Sequence, residues 1–173
     1  MSILYILCGP SGCGKSTWRD TFITEHSDQD IRYVSRDEIR FSMLKEGEDY
    51  FSHETEVFKK FTETLAQTLI DGFDVIADAT HLNANSRHKL TREIDRYTTD
   101  YSITYVVFNT SFSESCARNT QREGLSQVDE SIIASMYRNF RTPTLQEDMR
   151  AIDIIEVGEK SNDFSYLIEP YKK

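Results

Sequence analysis

The chain has 173 residues, a length that fits one domain. Hydrophobic residues make up 38% and charged residues 28%, enough to bury a core and too apolar for a disordered tail. Lys and Arg number 20 against 29 Asp and Glu, and the net charge of -9 argues against a broad basic face that coats nucleic acid. A small patch that grips a strand end remains compatible with it.

No apolar run approaches the roughly 20 residues that span a bilayer, so no membrane role is expected. Residues 1–8 lack a basic leader and an Ala-x-Ala cleavage site and read as a buried strand. Cys8, Cys13 and Cys116 form no CxxC pair, and a reduced, cytoplasmic chain is the expectation. His26, His53, His81 and His88 show no metal-ligand spacing.

In chain order, an apolar run at residues 3–7 leads into Gly9-Pro10-Ser11-Gly12-Cys13-Gly14-Lys15-Ser16, followed by Thr17. This satisfies G-x-x-x-x-G-K-[ST] at every fixed position. Glycines let successive backbone N–H groups form a nest around nucleotide phosphates. Lys15 supplies a charge for the β- and γ-phosphates, and the Ser16 hydroxyl is a Mg²⁺ ligand. A chain of this length matches by chance on the order of once in a hundred times, and the flanking strand and helix patterns make a bare glycine-rich turn improbable. The dinucleotide pattern G-x-G-x-x-G fails because Thr17 stands at its third glycine. Cys13 lies where a helix N-terminus can lower a thiol pKa, although a filler at a variable position is the simpler role.

A helix is expected over residues 17–26, with Trp18, Phe22 and Ile23 on one face, and a short strand at 32–34. Ser35-Arg36-Asp37-Glu38 is an S-x-x-E capping box that opens a helix over 36–45, broken at 47–49. A longer helix over 53–71 carries Val57, Phe58, Phe61, Leu65 and Leu69 inward, with Gly72 at C′. A buried strand over 73–77 ends at Asp78. The next helix, 85–97, turns Leu90, Ile94 and Tyr97 inward and presents Lys89, Arg92 and Arg96, near Arg87, as a solvated stripe. No aromatic residue interleaves with that stripe.

A strand follows at 101–108, then a second capping box, Ser111 to Glu114, opening a helix to about 122. A loop spans 123–127. Ile132, Ile133, Met136, Tyr137 and Phe140 mark another helix that stops before Pro143, and 151–157 is the last strand. The polar tail beyond Gly158 is expected to be irregular. Strands alternating with helices predict a single domain over 1–173, a three-layer α/β/α sandwich with a mostly parallel sheet. Ligands then gather at the carboxyl ends of the strands.

Asp37 falls in the first turn of its helix at that edge and can accept the proton of an attacking hydroxyl. Taken alone, such an acid more often just complements the helix dipole. Arg40, three residues on, can orient an anionic acceptor or Asp37 itself. Asp78, at the end of a buried strand, is equally placed to hold Mg²⁺ or to cap a turn. Arg118 and Arg122 form an i, i+4 pair that can present guanidinium groups to phosphates from a lid, unless Glu114 pairs with Arg118 on a solvated face.

With these residues in place, the chain resembles the phage-type polynucleotide 5′-hydroxyl kinases and their phosphate-loop relatives. The matching segments are Gly12 to Trp18, Ser35-Arg36-Asp37-Glu38-Ile39-Arg40, Asp78-Ala79-Thr80-His81-Leu82-Asn83, Arg118-Asn119 with Arg122, and Ser135-Met136-Tyr137, in the family's order. The resemblance implies a P-loop kinase fold with a small helical lid over about 111–142. It implies that ATP and Mg²⁺ are held by Lys15, Ser16 and the loop residues Gly9 to Thr17. Asp37 would be the general base, Arg40 would bind the acceptor phosphate, Arg122 would clamp the transferring group, and Arg118 matches a nearby basic position. Two departures stand out. No Asp-x-Asp-Gly-Thr segment of the appended phosphatase follows, and the family's Thr-Asn is Thr80-His81 here, with Asp78 offset by one. The expected partner is a nucleic-acid 5′ end or a small-molecule acceptor, and a nucleotide-dependent ATPase or switch without an acceptor is the third possibility.

Overall fold

The computed structural model describes residues 1–168. Five strands, β1 (Ser2–Cys8), β2 (Arg32–Ser35), β3 (Val75–Asp78), β4 (Tyr101–Phe108) and β5 (Ala151–Val157), form one sheet in the order β2-β3-β1-β4-β5. Every neighbouring pair is parallel. The helices are α1 (Lys15–Glu25), α2 (Arg36–Met43), α3 (Glu54–Ile70), α4 (Ala84–Ile94), α5 (Phe112–Thr120) and α6 (Glu130–Asn139).

The central strand explains the layering. Alternate side chains of β1 point to opposite faces of the pleat, so Leu4, Ile6 and Cys8 pack with Phe61, Leu65 and Leu69 of α3 and Leu90 and Ile94 of α4. Tyr5 and Leu7 face the other way, against Trp18, Phe22 and Ile23 of α1. Leu4, Ile6 and Leu7 are fully buried, each contributing about 1.5–3 kcal/mol relative to exposure. A third cluster, Phe112, Ile133 and Ala134 with Tyr137 and Tyr166, gives the α5–α6 hairpin a small core of its own. The chain leaves β1 toward β2 on one side, and the crossover from β3 passes β1 to β4 on the other, a reversal of direction that opens a crevice at the strands' carboxyl ends.

The helix boundaries follow local chemistry. Ser35 and Ser111 each accept a hydrogen bond from the N–H three residues on, at 3.2 and 3.1 Å, the serine half of the expected boxes. Glu38 and Glu114 accept from Tyr33 and Arg118 instead of closing them. Gly72 takes φ 88° just after α3, where a β-carbon would be strained. Three expectations are corrected. Tyr97 does not turn inward: α4 ends at Ile94, and Tyr97 is 51% exposed with its hydroxyl donating to Glu63. Lys89, Arg92 and Arg96 are exposed as expected, but Arg87 beside them is fully buried, its Nε and Nη2 donating to both oxygens of Glu147 at 2.9 and 2.7 Å. Nor is the tail wholly irregular over its described part, residues 159–168, residues 169–173 lying outside the described ones. A 3-10 turn, Ser165–Leu167, packs Tyr166 on Phe112 and Tyr137, while Asp163 accepts from the Ser113 N–H and hydroxyl.

Candidate active site

The phosphate loop is braced from several sides. Gly12 and Gly14 have φ of 82° and 99°, in the left-handed region that β-carbons disfavour. A β-carbon on Gly12 would also lie 2.6 Å from the Ser115 carbonyl oxygen, and one on Gly14 would lie 2.6 Å from Arg118 Nη1. The Gly9 N–H donates to Thr80 O at 2.9 Å, and Thr110 Oγ1 donates to Cys13 O at 2.7 Å. Met136 of the Ser-Met-Tyr segment receives the Ser11 N–H at its sulfur, and the Tyr137 hydroxyl donates to Thr110 O at 2.7 Å. That segment therefore ties α6 to the loop. Lys15 begins α1 and folds back, its Nζ donating to Gly9 O and Pro10 O at 3.0 and 2.8 Å. Cys13 is buried, which pushes its thiol up despite the Lys15 charge, so the filler role fits and a reactive thiolate does not.

Across the cleft, Asp37 lies in the first turn of α2 with its side chain half exposed. Its Oδ1 accepts from the Tyr50 hydroxyl at 2.6 Å and from Arg40 Nη1. Arg40 is buried at 6% exposure, and its Nε and Nη2 reach the two oxygens of Glu54 at 3.1 and 2.8 Å. Its Nη1 also donates to the Tyr50 oxygen at 2.7 Å, and its guanidinium carbon sits 4.3 Å from the centre of that ring. Burial raises the Glu54 carboxyl, but hydrogen bonding to Arg40 and the charges of Arg36 and Arg40 outweigh it and hold the group below its usual range. Burial, and then the bond to Asp37, push the Tyr50 phenol up, so it stays a donor. Of the two orientations open to Arg40, toward an acceptor or toward Asp37, the structure shows the second. Arg36 donates to Glu54 at 2.6 Å, and its buried Nε has no partner among the described residues.

Asp78 closes the floor. It is buried at 7% exposure, and its Oδ2 accepts from Arg19 Nη1 at 2.7 Å. Burial pushes its carboxyl up, against the opposing charges of Lys15 and Arg19. Arg19 lies one helical turn after Lys15 and over the Tyr33 ring at 4.0 Å. Sequence reasoning did not single out Arg19, Tyr50 or Glu54. The only local signal was the spacing of Arg19 from Lys15. His81 takes φ 41°, stacks beside Phe61 and bonds Leu7 O through Nδ1 at 2.7 Å. Burial drives its pKa down to about 3, so it is a neutral structural ring.

Arg118 Nη2 pairs with Glu114 at 2.6 Å, as the i, i+4 spacing allows, while its guanidinium lies against Gly14. Arg122 is exposed and touches Ser126 O at 3.5 Å. A cleft of about 1360 Å³ is lined by Lys15, Ser16, Asp37, Arg40, Asp78, Arg118 and Arg122 together. Ser11 to Thr17 line it too, whereas Gly9 and Pro10 do not and instead offer their carbonyls to Lys15 Nζ. The glycine conformations and the lysine fit a triphosphate. For Mg²⁺ the residue that fits is Ser16; Asp78 is already engaged by Arg19, and no cluster of three or more His, Cys, Asp or Glu able to hold a metal occurs among the described residues. No helix of the described residues is long and apolar enough to cross a membrane.

Residues 4–143 match the family model described as AAA domain. No curated protein matches the sequence. Among solved structures, a fungal RNA kinase is similar with a TM-score of 0.63 and 16% identity, covering 96% of this chain and 41% of that one. A chain of the Pnkp1/Rnl/Hen1 RNA repair complex gives 0.66 and 23%, covering 80% and 43%. A sugar kinase from Janibacter sp. gives 0.62 and 14%, covering 90% and 86%. The chain thus spans about two fifths of the length of the two RNA-related chains. The shared fold is that of the phosphate-loop kinases.

Proposed function

The chain belongs to the AAA domain family, and from that premise we propose that it is an ATP- and Mg²⁺-dependent kinase that moves the γ-phosphate to the 5′-hydroxyl end of DNA or RNA. One observation carries the proposal: a carboxylate held by Tyr50 and Arg40 lines the same cleft as the phosphate loop. A carboxylate so placed can accept the proton of an attacking acceptor hydroxyl.

In this scheme the loop N–H groups and Lys15 bind the triphosphate, Lys15 exchanging its contacts with Gly9 and Pro10 for phosphate oxygens. Mg²⁺, when bound, would neutralise charge developing on the β- and γ-oxygens, with Ser16 as its protein ligand. The acceptor oxygen attacks the γ-phosphorus, its proton passes to Asp37, and the bond to the departing ADP oxygen breaks. Arg40 orients Asp37. Arg118 and Arg122 bring positive charge from the hairpin to the transferring group. The three cysteines are free thiols, in keeping with a cytoplasmic setting.

A small-metabolite kinase is the second proposal, favoured by the net charge of -9 and by the sugar kinase that shares the fold over most of its own length. One assay separates them: γ-labelled ATP, Mg²⁺, 5′-hydroxyl oligonucleotides and a metabolite panel. Label on oligonucleotide is expected; label only in a metabolite supports the second proposal, and label only in free phosphate supports a switch. Asp37→Asn should lower kcat by about 10²- to 10⁴-fold with nucleotide affinity unchanged. The sole tryptophan, Trp18, lines the cleft and reports that affinity by fluorescence. Near-normal turnover by Asp37→Asn would remove Asp37 from the base role.

A further inference from the structure

Three aromatic rings stand in a row beside Asp37: Phe41 on α2, then Tyr50 and Phe51 in the connector to α3. Ring centres are 6.1 Å apart from Phe41 to Tyr50 and 4.8 Å from Tyr50 to Phe51, the latter pair nearly perpendicular at 84°. The middle ring is committed within the protein, its oxygen to Asp37 and its face to Arg40. Phe51 is not: it is 63% exposed, lines the cleft and belongs to none of the three apolar clusters. An exposed phenylalanine one ring away from the proton-accepting carboxylate contributes little to the fold.

We infer that Phe51 is a stacking face for the base of the acceptor's 5′-terminal nucleotide, an inference that rests on the polynucleotide proposal above. The rim chemistry favours a base over a sugar. Recognition of a sugar calls for free polar groups converging on its hydroxyls, whereas Tyr50, Arg40 and Glu54 are already bonded to one another. A flat aromatic face instead accepts any base, because every base offers a π-face. It also supplies affinity without a broad basic face, against which the net charge of -9 argues. The aromatic side chains missing from the basic stripe of α4 are thus supplied by the connector.

The test uses the full chain with 5′-hydroxyl oligonucleotides whose first nucleotide carries 2-aminopurine, a normal base or no base. Wild type should quench 2-aminopurine fluorescence on binding, and Phe51→Ala should lose the quenching. Phe51→Ala should raise KM for the normal oligonucleotide about tenfold, with kcat and KM for ATP unchanged, and Phe51→Trp should restore it. Wild type and Phe51→Ala should be alike on the abasic oligonucleotide. Unchanged KM and quenching in Phe51→Ala, or an equal penalty on the abasic oligonucleotide, overturns the stacking role while leaving the kinase proposal standing. Failure of wild type to label or bind any oligonucleotide overturns the polynucleotide proposal and this inference with it.

Discussion

The hydroxyl of Tyr50 donates to Oδ1 of Asp37 at 2.6 Å, the same oxygen that Arg40 reaches. Both bonds fall on one carboxylate oxygen, and Oδ2 has no protein partner among the described residues. In the proposed reaction Tyr50 and Arg40 together would leave Oδ2 to meet the acceptor hydroxyl. Tyr50→Phe keeps the ring against Arg40 and removes both the donor to Asp37 and the oxygen that accepts from Arg40 Nη1. It should lower kcat about tenfold with KM for ATP unchanged, since a hydrogen bond to a charged group is worth about 1.5–3 kcal/mol. Steady-state kinetics with labelled ATP checks this, and a rise in KM for ATP at constant kcat would contradict it.

Glu54 pairs with two arginines at once, Arg36 and Arg40. Glu54→Ala leaves the Arg40 charge buried without its bidentate partner, and the expected loss of stability is about 3 kcal/mol, the low end for a broken buried pair because Glu54 is 32% exposed. Urea denaturation measures it. Activity should also fall in the folded protein, because Arg40 is then free to swing away from Asp37.

Arg19 and Asp78 form the most buried ion pair of the cleft floor, with side-chain exposures of 9% and 7%. Arg19 alone keeps Asp20, 2.8 Å from its Nε, but Asp78 alone keeps only the more distant Lys15 charge, so Arg19→Met should cost about 3 kcal/mol. Arg19→Met with Asp78→Asn should recover much of that, giving a coupling energy of at least about 1 kcal/mol in a double-mutant cycle. Strict additivity of the two substitutions would show that the pair does not hold the floor.

Asp163 ties the tail to the α5–α6 hairpin. Hydrogen bonds from Ser165 and then Ser113, by hydroxyl and N–H, hold its carboxyl well below the ordinary range. A depressed acid stabilises the fold above its unfolded pKa of about 3.9 and loses that contribution as pH falls toward the folded value. Thermal melts should therefore show the difference between wild type and Asp163→Asn near neutral pH and its decline below about pH 4. A difference that grows with acidity would contradict this assignment.

Much of the fold was legible because it is written in short-range patterns. The glycine spacing of residues 9–16 dictates a turn that only left-handed backbone can make, and the capping serines Ser35 and Ser111 mark their helices. The alternating strands and helices likewise led to a parallel sheet. Where the pattern ran weak, it misled: Tyr97 continues the helical period of α4 but lies past its end, and Arg87 shares a charged stretch with exposed neighbours yet finds Glu147 60 residues away.

By itself, then, the amino-acid order determined the phosphate loop, the sheet class and the elements that bear Asp37, Asp78 and Arg118, since each depends on residues a few positions apart. The tertiary structure alone decided that Tyr50 and Glu54 surround Arg40, that Arg19 takes Asp78, and that Phe51 stands at the rim of the cleft. Those meetings depend on the strand order and on how a connector without periodicity returns across α2. The energy of pairing a buried charge selects the partner only after the fold has brought the candidates within reach.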